Sequence, residues 1–259
     1  MATFLFDKII FGPVKSRRLG ISLGINLLPI ESKLCNFNCI YCECGWTPGK
    51  KELKSDFHPR DIVKQKLEKV LSEMKAGNKA LDVITYAGNG EPTMHPDFAE
   101  IIEDTILVRD KYFPKARIAV LSNATQIHKP KVVAALKKVD DNILKLDSAF
   151  PETVELLNKP QGFYRIENVV ENMKQFEGEF TLQTMFVKGE YQGQTVDNTT
   201  DKEFVAWLGL VKAVNPKMIM IYTIARDTPS PDLVKVSYEE LKQISDKLEK
   251  GGFKVQISA

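Results

Sequence analysis

The sequence is nearly free of cysteine. In 259 residues there are four thiols, Cys35, Cys39, Cys42 and Cys44, all inside "CNFNCIYCEC". A disulfide framework ties distant segments together, so this clustering excludes one, and a chain of this length buries enough core to need none. Long apolar runs are also missing. No stretch approaches the roughly 20 residues of a membrane span, and Asp7 and Lys8 interrupt "MATFLFDKII" too early for a secretory signal. Linkers, low-complexity tracts and internal repeats are absent. So is an excess of either charge: 36 Lys and Arg against 34 Asp and Glu leave +2, which neither demands nor excludes an anionic partner. Together these absences predict a cytoplasmic protein with no membrane partner, organised as one domain over 1–259.

What is present is an alternation. "LGINLL" (23–28), "LDVITY" (81–86), "RIAVL" (117–121), "NILKLD" (142–147), "FTLQTMFV" (180–187) and "KMIMIYT" (217–223) are short and apolar, and read as buried strands. Helical stripes lie between them: Ile62, Val63, Leu67, Val70, Leu71 and Met74; Phe98, Ile101 and Ile102; Val132, Val133 and Leu136; Ile166, Val169, Val170 and Met173; Phe204, Val205, Leu208 and Val211. Ser237 and Glu240 predict a capping box for a last helix carrying Leu241, Ile244 and Leu248, and "FKVQI" (253–257) is a seventh short strand. Six strand-then-helix units predict an α/β fold, a parallel sheet whose right-handed crossovers curl it into a barrel or partial barrel. Chemistry in such folds gathers where strands run into the following loops. The cysteines, "AGNGEP" (87–92), Ser122 and Asn123, Asp147 and Ser148, and Tyr222 and Thr223 all fall at such points.

Cys35, Cys39 and Cys42 follow the spacing C-x3-C-x2-C. Zinc typically takes four ligands, often as two separated C-x2-C pairs. Here a second pair is missing, and the nearest histidine is His58. Three thiolates suit a [4Fe–4S] cube with one iron left open. Cys44 reads as a bystander. His58, His95 and His128, beside or near proline or lysine in loops, read as surface or capping residues. Lys15, Arg17 and Arg18 before the cysteines, and Lys50, Lys51 and Lys54 after them, read as solvated surface, with a nucleic-acid patch as the alternative.

With Tyr41 before the third cysteine, "CNFNCIYC" resembles the signature of the radical S-adenosylmethionine (SAM) superfamily. "GNGEP" (88–92) is similar to that superfamily's glycine-glycine-glutamate-proline segment, and "LSNAT" (121–125) and "LKLDS" (144–148) are similar to its third and fourth strands. The resemblance spans essentially the whole chain. It implies a partial (β/α)6 barrel with a short N-terminal extension and a cluster-binding loop over 34–46. Within the superfamily, "FGPVKSRRLGISLGINLLP" (11–29), "KLDSAFPETVELLNKP" (145–160), "QTMFVKG" (183–189) and "IYTIARDTP" (221–229) resemble the branch related to wyosine-base synthases of archaeal transfer RNA. Those synthases carry extra cysteines for a second cluster; Cys44 alone cannot hold one.

The resemblance implies cofactor chemistry: a [4Fe–4S] cluster on Cys35, Cys39 and Cys42, and SAM on its open iron. A low-potential donor such as flavodoxin or ferredoxin would supply the electron, and a 5′-deoxyadenosyl radical would take hydrogen from a substrate. By the same resemblance Gly88, Asn89, Gly90 and Glu91 would receive the methionyl ammonium. Ser122 and Asn123 would face the carboxylate or ribose, Asp147 would accept a ribose hydroxyl, and Gln183 would point inward at the same level. Tyr41 and the Tyr222–Ile224 segment would lie by the adenine. An RNA base, as in tRNA modification, is the expected substrate, ahead of a partner protein receiving a glycyl radical and of a small metabolite. A zinc- or cluster-bearing binding protein without catalysis would have no need of "GNGEP".

Overall fold

The computed structural model describes residues 4–16, 18–49 and 57–259. The basic residues Arg17, Lys50, Lys51 and Lys54 lie outside them. The chain opens with an antiparallel hairpin, β1 (Ile10–Ser16) and β2 (Gly20–Ile25). From β2 onward the main sheet is parallel, adding β3 (Val83–Tyr86), β4 (Arg117–Ser122), β5 (Asp141–Lys145) and β6 (Thr181–Met185) side by side. The chain then leaves the sheet for β7 (Val187–Tyr191) and β8 (Gln194–Asp197), and returns with β9 (Met218–Tyr222). After β10 (Leu233–Lys235), which pairs with β7 in a small second sheet, β11 (Val255–Ser258) closes the main one. The order β1-β2-β3-β4-β5-β6-β9-β11 forms the expected half barrel.

Every apolar run expected to be a strand is one. Period-two alternation sorts their side chains between two cores. Ile84, Tyr86, Ile118, Val120, Leu144, Leu182, Ile219 and Ile221 face outward onto the helices. Val83, Ala119, Ile143 and Met220 face inward, where Leu19 from the hairpin turn joins them. Register carries the inward row onward. Lys145 pairs with Gln183, Gln183 with Met220 and Met220 with Gln256, so these side chains share the concave face.

The helices that cover the convex face are α1 (Arg60–Ala76), α2 (Phe98–Tyr112), α3 (Pro130–Leu136), α4 (Pro151–Leu157), α5 (Ile166–Met173), α6 (Asp201–Val214) and α7 (Tyr238–Lys250). Their predicted stripes are largely buried: Val63, Leu67, Leu71 and Met74 in α1, for example. The capping box of α7 forms as expected, Glu240 N donating to Ser237 Oγ at 3.1 Å and Ser237 N to Glu240 Oε2 at 3.0 Å. Of the surface and capping readings of His95, the structure gives the capping one, at the end of the turn Pro92–Met94. The histidine is buried, and its Nδ1 accepts from Asp97 N at the head of α2 while Nε2 meets His58 O. Among the described residues no helix is long and apolar enough to cross a membrane.

Candidate active site

The cysteine segment follows β2 and lies across the carboxyl ends of the parallel strands. Two neighbours clamp it. On one side Leu34 bridges to Gly90, with Leu34 N donating to Asn89 O at 2.8 Å and Glu91 N to Leu34 O at 3.2 Å. Gly90 has φ +139°, and a Cβ there would strike Leu34 O, so only glycine permits this approach. On the other side Asn38 N donates to Asn158 O at 2.9 Å and Ile40 N to Leu157 O at 3.0 Å. Between the clamps the chain turns twice, Cys42 N to Cys39 O and Gly45 N to Cys42 O. These turns aim the thiols at a cavity of about 290 Å³ beneath them.

Cys35, Cys39 and Cys42 all line that cavity. Weak donors reach two of the sulfurs: Asn123 Nδ2 stands 3.6 Å from Cys35 Sγ, and Asn158 Nδ2 3.6 Å from Cys39 Sγ. Burial pushes the Cys35 thiol up to about 12 and raises Cys39 as well. Cys42 is held down, to about 5, by a hydrogen bond with Cys44 and by the Lys33 ammonium. Cys44, read as a bystander, also faces the cavity, with its thiol 3.4 Å from Gly88 O.

Two features of the donor set bear on a cluster. Among the described residues, no group of His, Cys, Asp or Glu could hold a single metal ion. A tetrahedral zinc site needs its sulfurs about 2.3 Å from one centre; a cube, with iron at separate corners, spreads its thiolates more widely. The second observation is Lys33. Its side chain is buried, and its ammonium donates to Gly45 O at 2.9 Å with no carboxylate partner among the described residues. Burial works against that charge, but Cys42, Cys35 and Cys39 more than offset it. A buried cation set among three thiols, one of them, Cys42, held toward its thiolate form, fits an anionic iron–sulfur group.

Of the expected SAM contacts, Tyr41, Gly88, Gly90, Glu91, Ser122, Asn123, Gln183, Tyr222 and Ile224 line the cavity. Glu91 does so with its carboxylate already engaged. Oε1 accepts from Thr93 N at 3.0 Å, from Thr93 Oγ1, and from Ser122 Oγ at 2.9 Å, and Oε2 from Asn123 N at 2.6 Å. It ties the loop after β3 to the end of β4. Two expected contacts fall off the cavity. Asn89 turns away, donating to Phe6 O and Pro29 O and accepting from Phe6 N, which pins the N-terminal segment. Asp147 is fully buried behind Tyr41 and accepts from Tyr41 OH, Asn158 Nδ2 and Met185 N. Polarity after a strand marks the rim but not the direction in which a side chain leaves it.

Three cations at the cavity were not singled out from the sequence, Lys33, Lys145 and Arg226, and a fourth, Arg18, departs from its reading as solvated surface. Lys145 lies between the rings of Tyr41 and Tyr222, 5.1 and 5.2 Å from their centroids, and donates to Tyr222 OH at 2.7 Å. Burial opposes its charge, yet Asp147, Tyr222 and Cys39 raise its pKa overall. The available signal was alternation, since Lys145 follows inward-facing Ile143 by two positions.

Comparison with known proteins agrees with this geometry. The profile of the Radical SAM superfamily matches residues 32–198, from the cysteine segment through β8. The UPF0026 protein slr1464 of Synechocystis is 31% identical over 208 residues, covering 78% of this chain and 71% of that protein. A protein of Brachyspira hyodysenteriae named GTPase Obg is 28% identical over 243 residues; the match takes in 92% of this chain and 33% of that one. Among solved structures, Streptococcus suis SuiB bound to S-adenosylmethionine superposes with a TM-score of 0.64 at 13% identity, a likeness of fold. That alignment covers 91% of this chain and 50% of SuiB, so the chain spans about half the length of its structural neighbour. With the profile covering more than half of its length, the chain belongs to the radical SAM superfamily of enzymes.

Proposed function

We propose that the chain binds a [4Fe–4S] cluster through Cys35, Cys39 and Cys42, binds SAM beside it, and takes a hydrogen atom from a second substrate in the same cavity. The observation that carries this reading is the meeting of three thiols, a buried Lys33 and the Gly88–Gly90 backbone on one cavity. Bound there, the cluster would supply a low-potential electron for breaking a carbon–sulfur bond of SAM. The chain's own residues do the rest. Backbone carbonyls at Gly88 and Gly90 accept the methionyl ammonium, and Ser122 and Asn123 face the carboxylate. Gln183 points in from β6, and Tyr41, Tyr222 and Ile224 wall the adenine and exclude water. Glu91, Asn89 and Asp147 hold these groups in position. The electron comes from a donor of the flavodoxin or ferredoxin type. Anaerobic reconstitution should give about four irons per chain, and reduction with SAM present should release 5′-deoxyadenosine. A protein that takes up iron normally with Cys39 changed to Ala would defeat the reading.

For the substrate, the RNA-base reading is supported by the likeness to the wyosine branch and by Lys15, exposed on β1. Of its other basic residues, Arg17, Lys50, Lys51 and Lys54 lie outside the described residues and Arg18 turns into the cavity. The cavity is near the lower end of ligand-pocket volumes, which favours a small molecule. Filter binding with bulk RNA separates the two. RNA held by four phosphates would lose affinity with a log–log salt slope of about −3, whereas a small-molecule enzyme should bind none.

A further inference from the structure

Arg18 sits in the turn between β1 and β2, at the end of β2 opposite the cysteines. Its backbone oxygen accepts from Gln256 Nε2 of β11 at 3.1 Å, so the turn spans the gap between the two edges of the half barrel. Its guanidinium lies over the ring of Tyr222, 5.1 Å from the centroid, and borders the same cavity as the cysteines. Nη1 is buried and has no hydrogen-bond partner. No carboxylate among the described residues stands within ion-pair distance of it. Buried donors are ordinarily satisfied, so an open one beside a cavity asks for an acceptor.

The other cations of the cavity are compensated. Arg226 Nη1 holds Glu43 Oε2 at 2.8 Å, Lys33 faces the thiols, and Lys145 has Asp147 Oδ1 at 3.4 Å. The cavity's two carboxylates, Glu43 and Glu91, are both engaged, one by Arg226 and one by its four donors. Arg18 therefore has no ion-pair partner among the described residues, the oxygens of Glu91 being held by uncharged donors, and its Nη1 stays unmet. A guanidinium stacked on an aromatic face keeps its planar edge free, and that edge matches carboxylate or phosphate oxygens. The hydroxyl residues Thr223 and Ser258 line the same cavity, and Lys145 adds a second cation near Tyr222.

We propose that Arg18 anchors an anionic group, a carboxylate or a phosphate, on the small molecule that gives up the hydrogen atom. That molecule's role rests on the radical reading above; the anion site itself does not. SAM's own carboxylate belongs at the cluster, and Arg18 enters from the other end of the barrel. Because Nη1 is enclosed, the site takes a terminal anionic group and not the backbone of a polymer.

The test is calorimetric titration of the SAM-loaded protein with inorganic phosphate, with acetate, and with uncharged acetamide. Saturable binding of one anion and not of acetamide is expected. The tighter of the two anions identifies the group. Arg18→Gln should weaken it at least about tenfold and Arg18→Lys by less. Absence of saturable anion binding, or equal binding in Arg18→Gln, would overturn the site. An equal loss of SAM affinity in Arg18→Gln would assign the guanidinium to the cofactor and overturn it too. So would displacement of the anion by bulk RNA in the parent but not in Arg18→Gln. If Arg18→Gln fails to fold, the parent still answers: the anion should slow labelling of Arg18 by phenylglyoxal, read by peptide mass, and unchanged labelling refutes the proposal. Anion binding is read without turnover. A protein that binds the anion through Arg18 yet never releases 5′-deoxyadenosine would sink the radical reading and leave the site standing.

Discussion

The two ends of the cavity are built on opposite terms. At the cysteine end the polar side chains are committed to each other. Glu91 takes four hydrogen bonds, and Asn123 holds Asn36 and Thr125 as well as approaching Cys35. Asp147 and Asn158 lock Tyr41 from behind. At the Arg18 end the contact is the ring face of Tyr222, which fixes the guanidinium and leaves its Nη1 without a partner. A frame that must hold a cofactor in one geometry uses its own hydrogen bonds; a surface that must accept a ligand leaves some unmade.

The sharpest way to break this comparison is at the thiols. Replacing Cys35, Cys39 or Cys42 by Ala should abolish iron uptake after reconstitution, while Cys44→Ala should retain it. Iron analysis decides, and loss of iron in Cys44→Ala would move that residue into the ligand set. Next comes stability. Glu91→Ala strands Thr93 N, Ser122 Oγ and Asn123 N inside the protein, so urea unfolding should show a loss of about 3 kcal/mol or more, at 1–3 for each buried unmet group. Arg18→Gln gives up only a ring contact and should cost under about 1 kcal/mol. Equal losses would erase the distinction between the two ends.

A smaller effect is expected at Lys33. Its ammonium favours the more negative, reduced form of any cluster on the neighbouring thiols. Lys33→Met should therefore lower the midpoint potential in a spectroelectrochemical titration. A last effect lies outside the cavity and sets a baseline. Asp104 is buried between Arg60 Nε at 2.7 Å and Lys64 Nζ at 2.9 Å, joining α1 to α2. The Arg60 hydrogen bond, with Lys64, holds its carboxyl below the usual range. A depressed folded-state pKa stabilises above the unfolded value and is lost as acid protonates the group. Asp104→Asn should thus cost about 1 kcal/mol at neutral pH, and the gap from the parent should close below about pH 4.

How much of this was legible depended on burial. Six of the seven parallel strands fall in mainly apolar runs, because a strand covered on one face by helices and on the other by a packed interior has little reason to alternate, whereas half-buried β11 reads Val-Gln-Ile-Ser. β1, with Gly12 and Pro13 and mostly exposed, carries no such signal, β7 and β8 are short and largely polar, and β10 has only three residues. The seven-residue α4 was also missed, since it buries only Val154 and Leu157 and two positions make no stripe. The cysteines were legible from spacing alone. Lys33 and Lys145 were not, because a lone cation in sequence reads as solvent-facing, and Arg18, in a basic run with Lys15 and Arg17, was read as surface for the same reason. Only the fold reveals that each points into a cavity. Asn89 and Asp147 failed in the reverse sense: their polarity serves the protein's interior, not a ligand.

The contact between Arg18 and Gln256 joins residues 238 positions apart. Contacts of such separation wait for nearly the entire chain. During synthesis the cysteine loop, the glycine loop after β3 and the segment after α4 emerge early and can clamp together while β11 is still inside the ribosome. The latch across the gap comes last. The cofactor end of the cavity is thus assembled before the end that would admit an anion, and a nascent chain stalled short of β11 would hold a nearly finished cluster loop beside an unclosed barrel.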